Sequence, residues 1–318
     1  MKEYPMPTGN PIYFEGDILQ INPNAYGFFE CKISSPDGLN NPILLKRMKT
    51  DKGLRTIAPT GKWLGSYLSE ELFNALKNGY TFKALRGYLL DKEYIFNDYV
   101  DFLYNLKVNS SKDRPDYIIS KLLLNSLYGR FGMSPYMENH IILDSNSLEA
   151  ISISKNKIVT DILHLDNGKD LISYFDDKCD NDWDRILNIS IPISAAVTAF
   201  ARIHMSQFKN RDDFTLFYTD TDSIDINKPL EPKFIGKELG KMKLEHIFDK
   251  ILVLAPKVYS GITSYKKNTK VKGYKIKGKF TGKTNNIDLE KLLPLLNKNE
   301  KLELHQDKWH RYFSKGYI

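Results

Sequence analysis

The chain has 318 residues, 42% hydrophobic and 27% charged, which is the composition of a soluble globular protein with room for several subdomains. No apolar run approaches the ~20 residues of a membrane helix, so no membrane partner is expected. The net charge of +7, with 19 tyrosines and 17 phenylalanines, favours a nucleic-acid partner, although drift toward Lys, Asn, Ile and Tyr in an A+T-rich genome gives a similar balance. Cys31 and Cys179 are too few for a disulfide framework, and the scattered histidines indicate no zinc site.

The first part of the chain alternates strand-like runs with turn residues. Strands are predicted over 11–15, 27–33 and 42–46, because clusters of Asn, Pro and Gly separate these runs. A helix is predicted over 69–79, with Ser69 as its N-cap and Gly79 as its stop signal.

The middle of the chain predicts a pair of helices followed by an insertion. Residues 88–106 carry aromatic and aliphatic side chains at helical spacings, and a second helix begins at Pro115 and ends near Gly129. Residues 138–188 are polar and acidic, and we interpret them as an insertion with short strands at 140–143 and 150–153. A helix of small residues is predicted over 194–205.

The second helix has one informative face. Lys121, Asn125 and Tyr128 are spaced i, i+4 and i+7, so they lie on one stripe. A lysine, an amide and a phenol ring in this arrangement can contact a phosphate, a sugar and a base. The alternative is an ordinary amphipathic helix whose polar stripe faces water.

The segment 214–227 predicts a β-hairpin whose turn carries Asp220 and Asp222. Two carboxylates one residue apart repel each other, and a bound divalent cation relieves that repulsion. Asp-Thr-Asp is also a good turn sequence without any ligand, because Asp hydrogen-bonds its own backbone in turns. Further on, Lys275 and Lys277 belong to a lysine-rich run beside aromatic residues, which suits a nucleic-acid backbone or a lysine-protected strand edge.

Several of these stretches, in this order, resemble motifs of the family B DNA polymerases. The segment Lys121-Leu-Leu-Leu-Asn-Ser-Leu-Tyr-Gly129 resembles the fingers motif, and Tyr218-Thr-Asp-Thr-Asp-Ser223 resembles a palm motif. Lys257-Val-Tyr259 is similar to the Lys-x-Tyr element that holds the primer duplex, and Lys275-Ile-Lys-Gly278 to a later lysine-glycine element. The likeness is greatest to the protein-primed branch of small phages and mitochondrial linear plasmids.

The resemblance implies a role for each matching residue. Asp222 would bind both catalytic Mg²⁺ ions, with Asp220 as a nearby auxiliary carboxylate. Tyr128 and Asn125 would border the nascent base pair, and Lys121 would hold the triphosphate of the incoming nucleotide. Five further residues receive roles in the same way: Lys107 as a second phosphate contact, and Lys257, Tyr259, Lys275 and Lys277 as DNA contacts.

The same resemblance implies an α+β fold with the right-hand architecture of polymerases: a partial palm with an antiparallel sheet, helical fingers, a small thumb and two insertions. The expected segments are 1–86 (an insertion contacting the priming protein), 87–135 (fingers), 136–190 (a second insertion, for processivity), 191–245 (palm) and 246–318 (thumb). Template-primer DNA, a deoxynucleoside triphosphate and a terminal priming protein are the expected partners.

One family motif is missing. The first palm motif, Asp-x-x-Ser-Leu-Tyr-Pro, does not occur in the sequence, so the two-metal site is expected to be incomplete and the chain inactive alone. The alternative is a non-catalytic DNA-binding remnant of a polymerase. A reverse transcriptase is disfavoured because Thr221 separates the aspartates. The lack of a transit peptide and the plasmid resemblance favour expression inside a mitochondrion.

Overall fold

The computed structural model describes residues 2–50, 53–133, 138–165, 168–175, 189–263, 271–274, 289–297 and 299–302. The elements up to residue 131 are β1 (Met6–Glu15), α1 (Ile18–Ile21), β2 (Gly27–Ser34), β3 (Lys46–Thr50), β4 (Gly53–Ile57), β5 (Lys62–Leu68), α2 (Ser69–Lys77), β6 (Thr81–Glu93), α3 (Asn97–Asn109) and α4 (Pro115–Phe131). The later elements are β7 (Asn139–Asp144), α5 (Leu148–Asn156), β8 (Ile158–Leu165), β9 (Lys169–Phe175), α6 (Ile191–Ser206), β10 (Leu216–Asp220), β11 (Ser223–Ile226), β12 (Lys250–Ala255), β13 (Val258–Ile262), β14 (Val271–Tyr274) and α7 (Leu289–Leu292). Short 3₁₀ turns lie at Pro232–Phe234 and Leu293–Leu296.

The chain divides into two compact units. The first comprises Met1–Pro135 with Ile186–Asp213, and the second comprises Tyr136–Arg185 with Phe214–Ile318. The named strands pair antiparallel throughout, in sheets of two to four strands. Within the described residues, no helix combines the length and the apolarity that a membrane span requires. The five functional segments expected from the sequence stay a prediction.

The first unit is built on a four-stranded sheet in the order β1-β6-β2-β5. Along β2, Phe29, Cys31 and Ile33 are buried on one face, as the alternation of a half-buried strand predicts, and α2 covers that face with Leu72 and Ala75. Strand β3 pairs only with β4 among the described strands, so these two form a separate ribbon.

A second core of the first unit forms around α6. Ala196 and Ala199 are almost fully buried there, and these small side chains allow α6 to approach its neighbours closely. Phe200 on α6 and the partly buried Leu127 and Phe131 on α4 belong to the same core. The helix begins at Ile191, where the Ser190 hydroxyl accepts a hydrogen bond from the backbone N–H of Ile193.

In the second unit, β7, β9 and β8 form one sheet, β10 and β11 a hairpin, and β12, β13 and β14 another sheet. The predicted strand at 140–143 is confirmed within β7, whereas the predicted strand at 150–153 is wrong, because these residues lie in helix α5. The Ser147 hydroxyl accepts a hydrogen bond from the N–H of Ala150, which caps that helix. A small core of Ala150, Ile153 and Ile172 holds α5 on the sheet.

Candidate active site

The predicted acidic hairpin is present. Strand β10 pairs with β11 so that Asp220 lies opposite Ser223, which leaves Thr221 and Asp222 as a two-residue loop. Thr221 has a φ of 52°, in the left-handed region that β-branched residues rarely occupy. A positive φ at the first loop residue fits a type II′ turn, whose twist matches that of the flanking strands. The fold therefore holds the two carboxylates on either side of a strained residue.

A second tight turn contacts this hairpin. Ala255 on β12 lies opposite Val258 on β13, so Pro256 and Lys257 form another two-residue loop. Lys257 has a φ of 64°, and proline followed by a positive φ is the pattern of a type II turn, where glycine is usual at the second position. The Thr221 turn and the Lys257 turn therefore each contain one non-glycine residue with a positive φ.

Lys257 joins the two turns through both its backbone and its side chain. Its backbone N–H donates a hydrogen bond to the Tyr218 hydroxyl at 2.8 Å, and its Nζ donates to Oδ2 of Asp220. The Thr221 hydroxyl donates to the other carboxylate oxygen of Asp220 at 3.1 Å. Both oxygens of Asp220 therefore have a protein donor.

These contacts determine the charge state of Asp220. The hydrogen bond from Lys257 is the main cause that lowers the pKa of the Asp220 carboxyl, and the same bond raises the pKa of the Lys257 ammonium. Partial burial opposes the shift at Asp220 without reversing it. Asp220 is therefore ionised at neutral pH, with one positive charge beside it.

Asp222 has different surroundings. Its side chain is exposed, and among the described residues it makes no hydrogen bond or ion pair. It is thus the open carboxylate of the pair, with a charge that no described cation neutralises.

The donor set can be compared with what Mg²⁺ requires. Within the described residues, no three His, Cys, Asp or Glu side chains come close enough to hold a metal ion by themselves. Mg²⁺, however, keeps several waters and is commonly held by one or two carboxylates together with substrate phosphates. Asp220 and Asp222 fit that pattern, provided that Asp220 shares its oxygens with Lys257 or exchanges that partner for the metal.

Behind the turn lies an aromatic pair that includes a predicted DNA contact. The rings of Tyr218 and Tyr259 are 5.5 Å apart, and Tyr259 lies on β13 two residues after Lys257. Burial raises the pKa of the Tyr259 hydroxyl, with Asp225 as the next cause. The contact between the two rings packs β13, which follows the Lys257 turn, against the hairpin strand β10.

Asp225 is a third acidic residue that the sequence analysis did not single out. It lies directly opposite Tyr218 in the hairpin, on the face that Tyr218 shares. Burial raises the pKa of its carboxyl, and the nearby His246 acts in the opposite direction. Its position could have been found from the hairpin register, because the pairing runs without interruption from Asp220–Ser223 at the turn to Tyr218–Asp225.

The three residues of the predicted stripe lie on helix α4. Lys121, Asn125 and Tyr128 are all exposed, Tyr128 to 44%, and none of them makes a hydrogen bond or ion pair with the described residues. Leu124 and Leu127 of the same helix are partly buried and pack on the core. Three polar groups are therefore accessible to a ligand, and their role in nucleotide binding stays a prediction.

The remaining predicted site residues fall into two groups. Lys107 lies in the last turn of α3, which packs against α4 in the same unit. Lys275 and Lys277 lie outside the described residues. The assignments of these three lysines stay predictions.

Comparison with known proteins identifies the family. The sequence model described as DNA polymerase type B, organellar and viral, matches residues 1–214. A probable DNA polymerase of Neurospora intermedia is 39% identical over 326 aligned residues, covering 100% of this chain and 33% of the relative. A probable DNA polymerase of Ascobolus immersus is 38% identical over 279 residues, covering 87% of this chain and 23% of the relative. The chain thus spans about a third or less of the length of these curated relatives.

A solved structure supports the same fold. Phi29 DNA polymerase complexed with primer-template DNA superposes with a TM-score of 0.54 at 19% identity, covering 85% of this chain and 44% of that one. The expected α+β polymerase fold is therefore confirmed. With the family model covering most of the chain, the resemblance seen in the motifs is confirmed as well, and the protein belongs to the organellar and viral type B DNA polymerases.

Proposed function

We propose that this chain is the part of a DNA-directed DNA polymerase that holds the nucleotide and the catalytic metals during templated synthesis. The observation that carries the proposal is the two-residue turn between Asp220 and Ser223, which presents an open carboxylate at Asp222 in a member of this polymerase family. In the reaction, the primer 3′ oxygen forms a bond to the α-phosphorus, the bond from that phosphorus to pyrophosphate breaks, and the 3′ proton is lost to solvent.

The hairpin would act by positioning charge. When bound, Mg²⁺ would lower the pKa of the attacking hydroxyl and neutralise the charge on the leaving pyrophosphate. Asp222 would be its principal protein ligand because it is exposed and has no protein donor in the described chain. Asp220 would be auxiliary, since Lys257 and Thr221 already donate to its two oxygens. The left-handed φ of Thr221 sets the course of the backbone between Asp220 and Asp222.

The exposed face of α4 would bind the incoming nucleotide. The ammonium of Lys121 supplies a mobile point charge for a triphosphate, and the ring of Tyr128, 44% exposed, supplies a flat surface beside the base. Asn125 lies between them on the stripe and offers a hydrogen bond to the sugar edge. Lys107 on α3 is the proposed second phosphate contact.

The turn at Lys257 would contact the primer strand. Its ammonium lies beside Asp220, so a primer phosphate that bound Lys257 would lie within reach of the acidic turn. Tyr259, packed on Tyr218, would support that contact from β13. Lys275 and Lys277 are proposed as further contacts along the DNA.

These 318 residues are proposed to have little or no activity by themselves. Two metal ions ~3.5–4 Å apart need carboxylates on opposite sides, and the hairpin supplies only one side. The test is primer extension with Mg²⁺ by two polypeptides: the 318-residue chain, and the same chain preceded by a segment bearing Asp-x-x-Ser-Leu-Tyr-Pro. We expect templated extension only from the longer polypeptide, abolished there by Asp222→Asn. Extension by the shorter chain, or extension that survives Asp222→Asn, would refute the proposal.

A second candidate function is DNA binding without catalysis. The observation that favours it is the Lys257–Asp220 ion pair, because an ammonium on Asp220 takes up charge that a metal would otherwise neutralise. A longer polypeptide that binds primer-template with and without Asp222→Ala, yet never extends it, would support this candidate over the first.

The biological setting is also a proposal. Membership in this family and the fungal relatives support a role in replicating a linear plasmid or mitochondrial element, with expression in the mitochondrion and a terminal priming protein as partner. Phage relatives such as the DNA polymerase of Bacillus phage phi29, 24% identical over 274 residues, support a protein-primed mode. Co-purification of a covalently primed DNA end from the source organelle would test this setting.

A further inference from the structure

The ribbon of β3 and β4 carries a concentrated positive charge that the proposed function leaves unused. Its two strands, Lys46–Thr50 and Gly53–Ile57, contain four basic residues and no acidic one. All ten of these residues are exposed except Lys46, which is half-buried. The basic residues, which we call the ribbon cations, are Lys46, Arg47, Lys49 and Arg55.

The ribbon cations have no partner within the part of the chain that the structure describes. Among the described residues, none of the four makes an ion pair or a side-chain hydrogen bond. In the hairpin register each lies opposite an uncharged residue: Lys46 faces Ile57, Arg47 faces Thr56, Lys49 faces Leu54 and Arg55 faces Met48. As far as the described residues go, their charge is therefore unpaired and can meet an external anion.

The cations also project from both faces of the ribbon. Residues directly opposite share a face, and neighbours along a strand alternate between faces. Lys46 and Arg55 thus lie on one face, with Arg47 and Lys49 on the other. A flat acidic surface could meet only one of these pairs, whereas a groove with phosphates along both walls could meet both.

The dimensions of the ribbon fit such a groove. Five residues per strand span about 17 Å, and the strands of a ribbon lie about 4.8 Å apart. The major groove of B-DNA, about 12 Å wide, admits a two-stranded β-ribbon. Exposed Met48, Leu54 and Ile57 add apolar surface, and a lone two-stranded hairpin is only marginally stable in water, so a bound duplex would also order it.

We propose that the β3–β4 ribbon is a DNA-binding arm that enters the major groove of duplex DNA and contacts phosphates on both sides through the ribbon cations. Backbone contacts of this kind carry little sequence preference. The inference rests on the proposed function, which supplies duplex DNA as the partner, and it adds a binding site separate from the acidic turn.

The test is fluorescence anisotropy of the full chain with a labelled primer-template duplex over a range of salt concentrations. Replacing all four ribbon cations by Gln should weaken binding about tenfold or more and reduce the slope of log K against log salt by about 3 to 4, since each phosphate contact contributes about 0.9. The swapped variant K46R, R47K, K49R, R55K keeps the charge and should bind like the wild type. Replacement of four scattered exposed lysines by Gln controls for net charge: Lys77, Lys155, Lys228 and Lys243.

The outcomes separate this inference from the proposed function. A wild type that does not bind duplex DNA would contradict both. A wild type that binds, with an unchanged slope and affinity in the ribbon variant, would overturn the arm alone. An equal loss in the scattered-lysine control would show that only net charge matters, and a loss confined to single-stranded DNA would rule out the groove. Either of these last two results would overturn the proposed DNA-binding arm.

Discussion

Thr221 and Lys257 are the two residues at the acidic site with backbone conformations that their side chains disfavour. Each has a positive φ, 52° and 64°, and each lies in a two-residue loop. Non-glycine residues in the left-handed region cost about 1–2 kcal/mol, and such strain persists only where the surrounding structure fixes it. At Lys257 the compensation is visible, because both its N–H and its ammonium find partners on the hairpin.

Thr221→Asn should stabilise the chain by about 1 kcal/mol, because Asn tolerates the left-handed region better than a β-branched residue does. The free energy of unfolding in urea measures the effect. Thr219→Asn, two residues earlier in strand β10, is the matched control and should destabilise the chain, because Asn disfavours strands. Equal effects at both positions would mean that the turn stores no strain.

Lys257→Met should raise the pKa of the Asp220 carboxyl toward its ordinary value of about 3.9, because the principal cause of its lowering is removed. A lowered folded-state pKa contributes stability above the unfolded value that is lost as the pH falls through the folded one. As the pH falls from the unfolded-state pKa through the folded-state pKa of Asp220, the variant should therefore lose less stability than the wild type. Carboxyl ¹³C NMR titration measures the shift directly, with Lys250→Met on β12 as control. An unchanged Asp220 titration would contradict the ion pair.

The acidic pair could be predicted from the sequence, whereas its lysine partner could not. Asp-Thr-Asp predicts a turn and a metal site from local chemistry alone. The contact between Lys257 and Asp220 joins turns 37 residues apart, and no local spacing links them. Lys257 was predicted as a DNA contact from its motif, but its hydrogen bonds depend on how β12 and β13 pack on the hairpin.

At the scale of elements, helices α2 and α6 are joined by an ion pair whose carboxylate is buried. Glu71 on α2 is 3% exposed, and Arg202 on α6 donates to its two oxygens at 2.6 and 3.0 Å. Bidentate pairs of this kind fix geometry as well as adding energy. The pair therefore fixes the position of α6 relative to α2 within the first unit.

Arg202→Met should destabilise the chain by about 3 kcal/mol, because it leaves the Glu71 carboxylate buried without a counter-charge. The double variant Glu71→Leu with Arg202→Met should recover most of that loss, since an apolar pair of similar size has no charge to desolvate. Chemical denaturation of the two variants measures the difference. If the double variant is as unstable as the single one, packing rather than charge is the cause.

The element predictions succeeded where local signals agree and failed where distant pairing decides. The helix pair α3–α4 and helix α2 were predicted from spacing and end signals. The helix predicted over 88–106 is wrong at its start, because residues 88–93 belong to β6, which pairs with both β1 and β2. Likewise, Ser69 does not cap α2. Its hydroxyl accepts a hydrogen bond from the N–H of Gly27 instead.

At the scale of the molecule, the two units carry different parts of the proposed chemistry. The first unit, with the four-stranded sheet and α4, carries the exposed stripe of Lys121, Asn125 and Tyr128 and the β3–β4 ribbon. The unit with the hairpin carries the acidic turn and Lys257. The family could be anticipated from the sequence because Lys-x-x-x-Asn-Ser-x-Tyr-Gly, which lies within the residues that the family model matches, is local in sequence.

The most direct test of the metal site is iron-mediated cleavage of the full chain. Fe²⁺ in place of Mg²⁺, with ascorbate and peroxide, cuts the backbone near the bound ion, and mass spectrometry of the fragments locates the cuts. The account predicts cuts clustered between Tyr218 and Ser223 that Mg²⁺ suppresses by competition and that Asp222→Asn abolishes. Cuts elsewhere in the chain, or cuts at the turn that persist in Asp222→Asn, would contradict it.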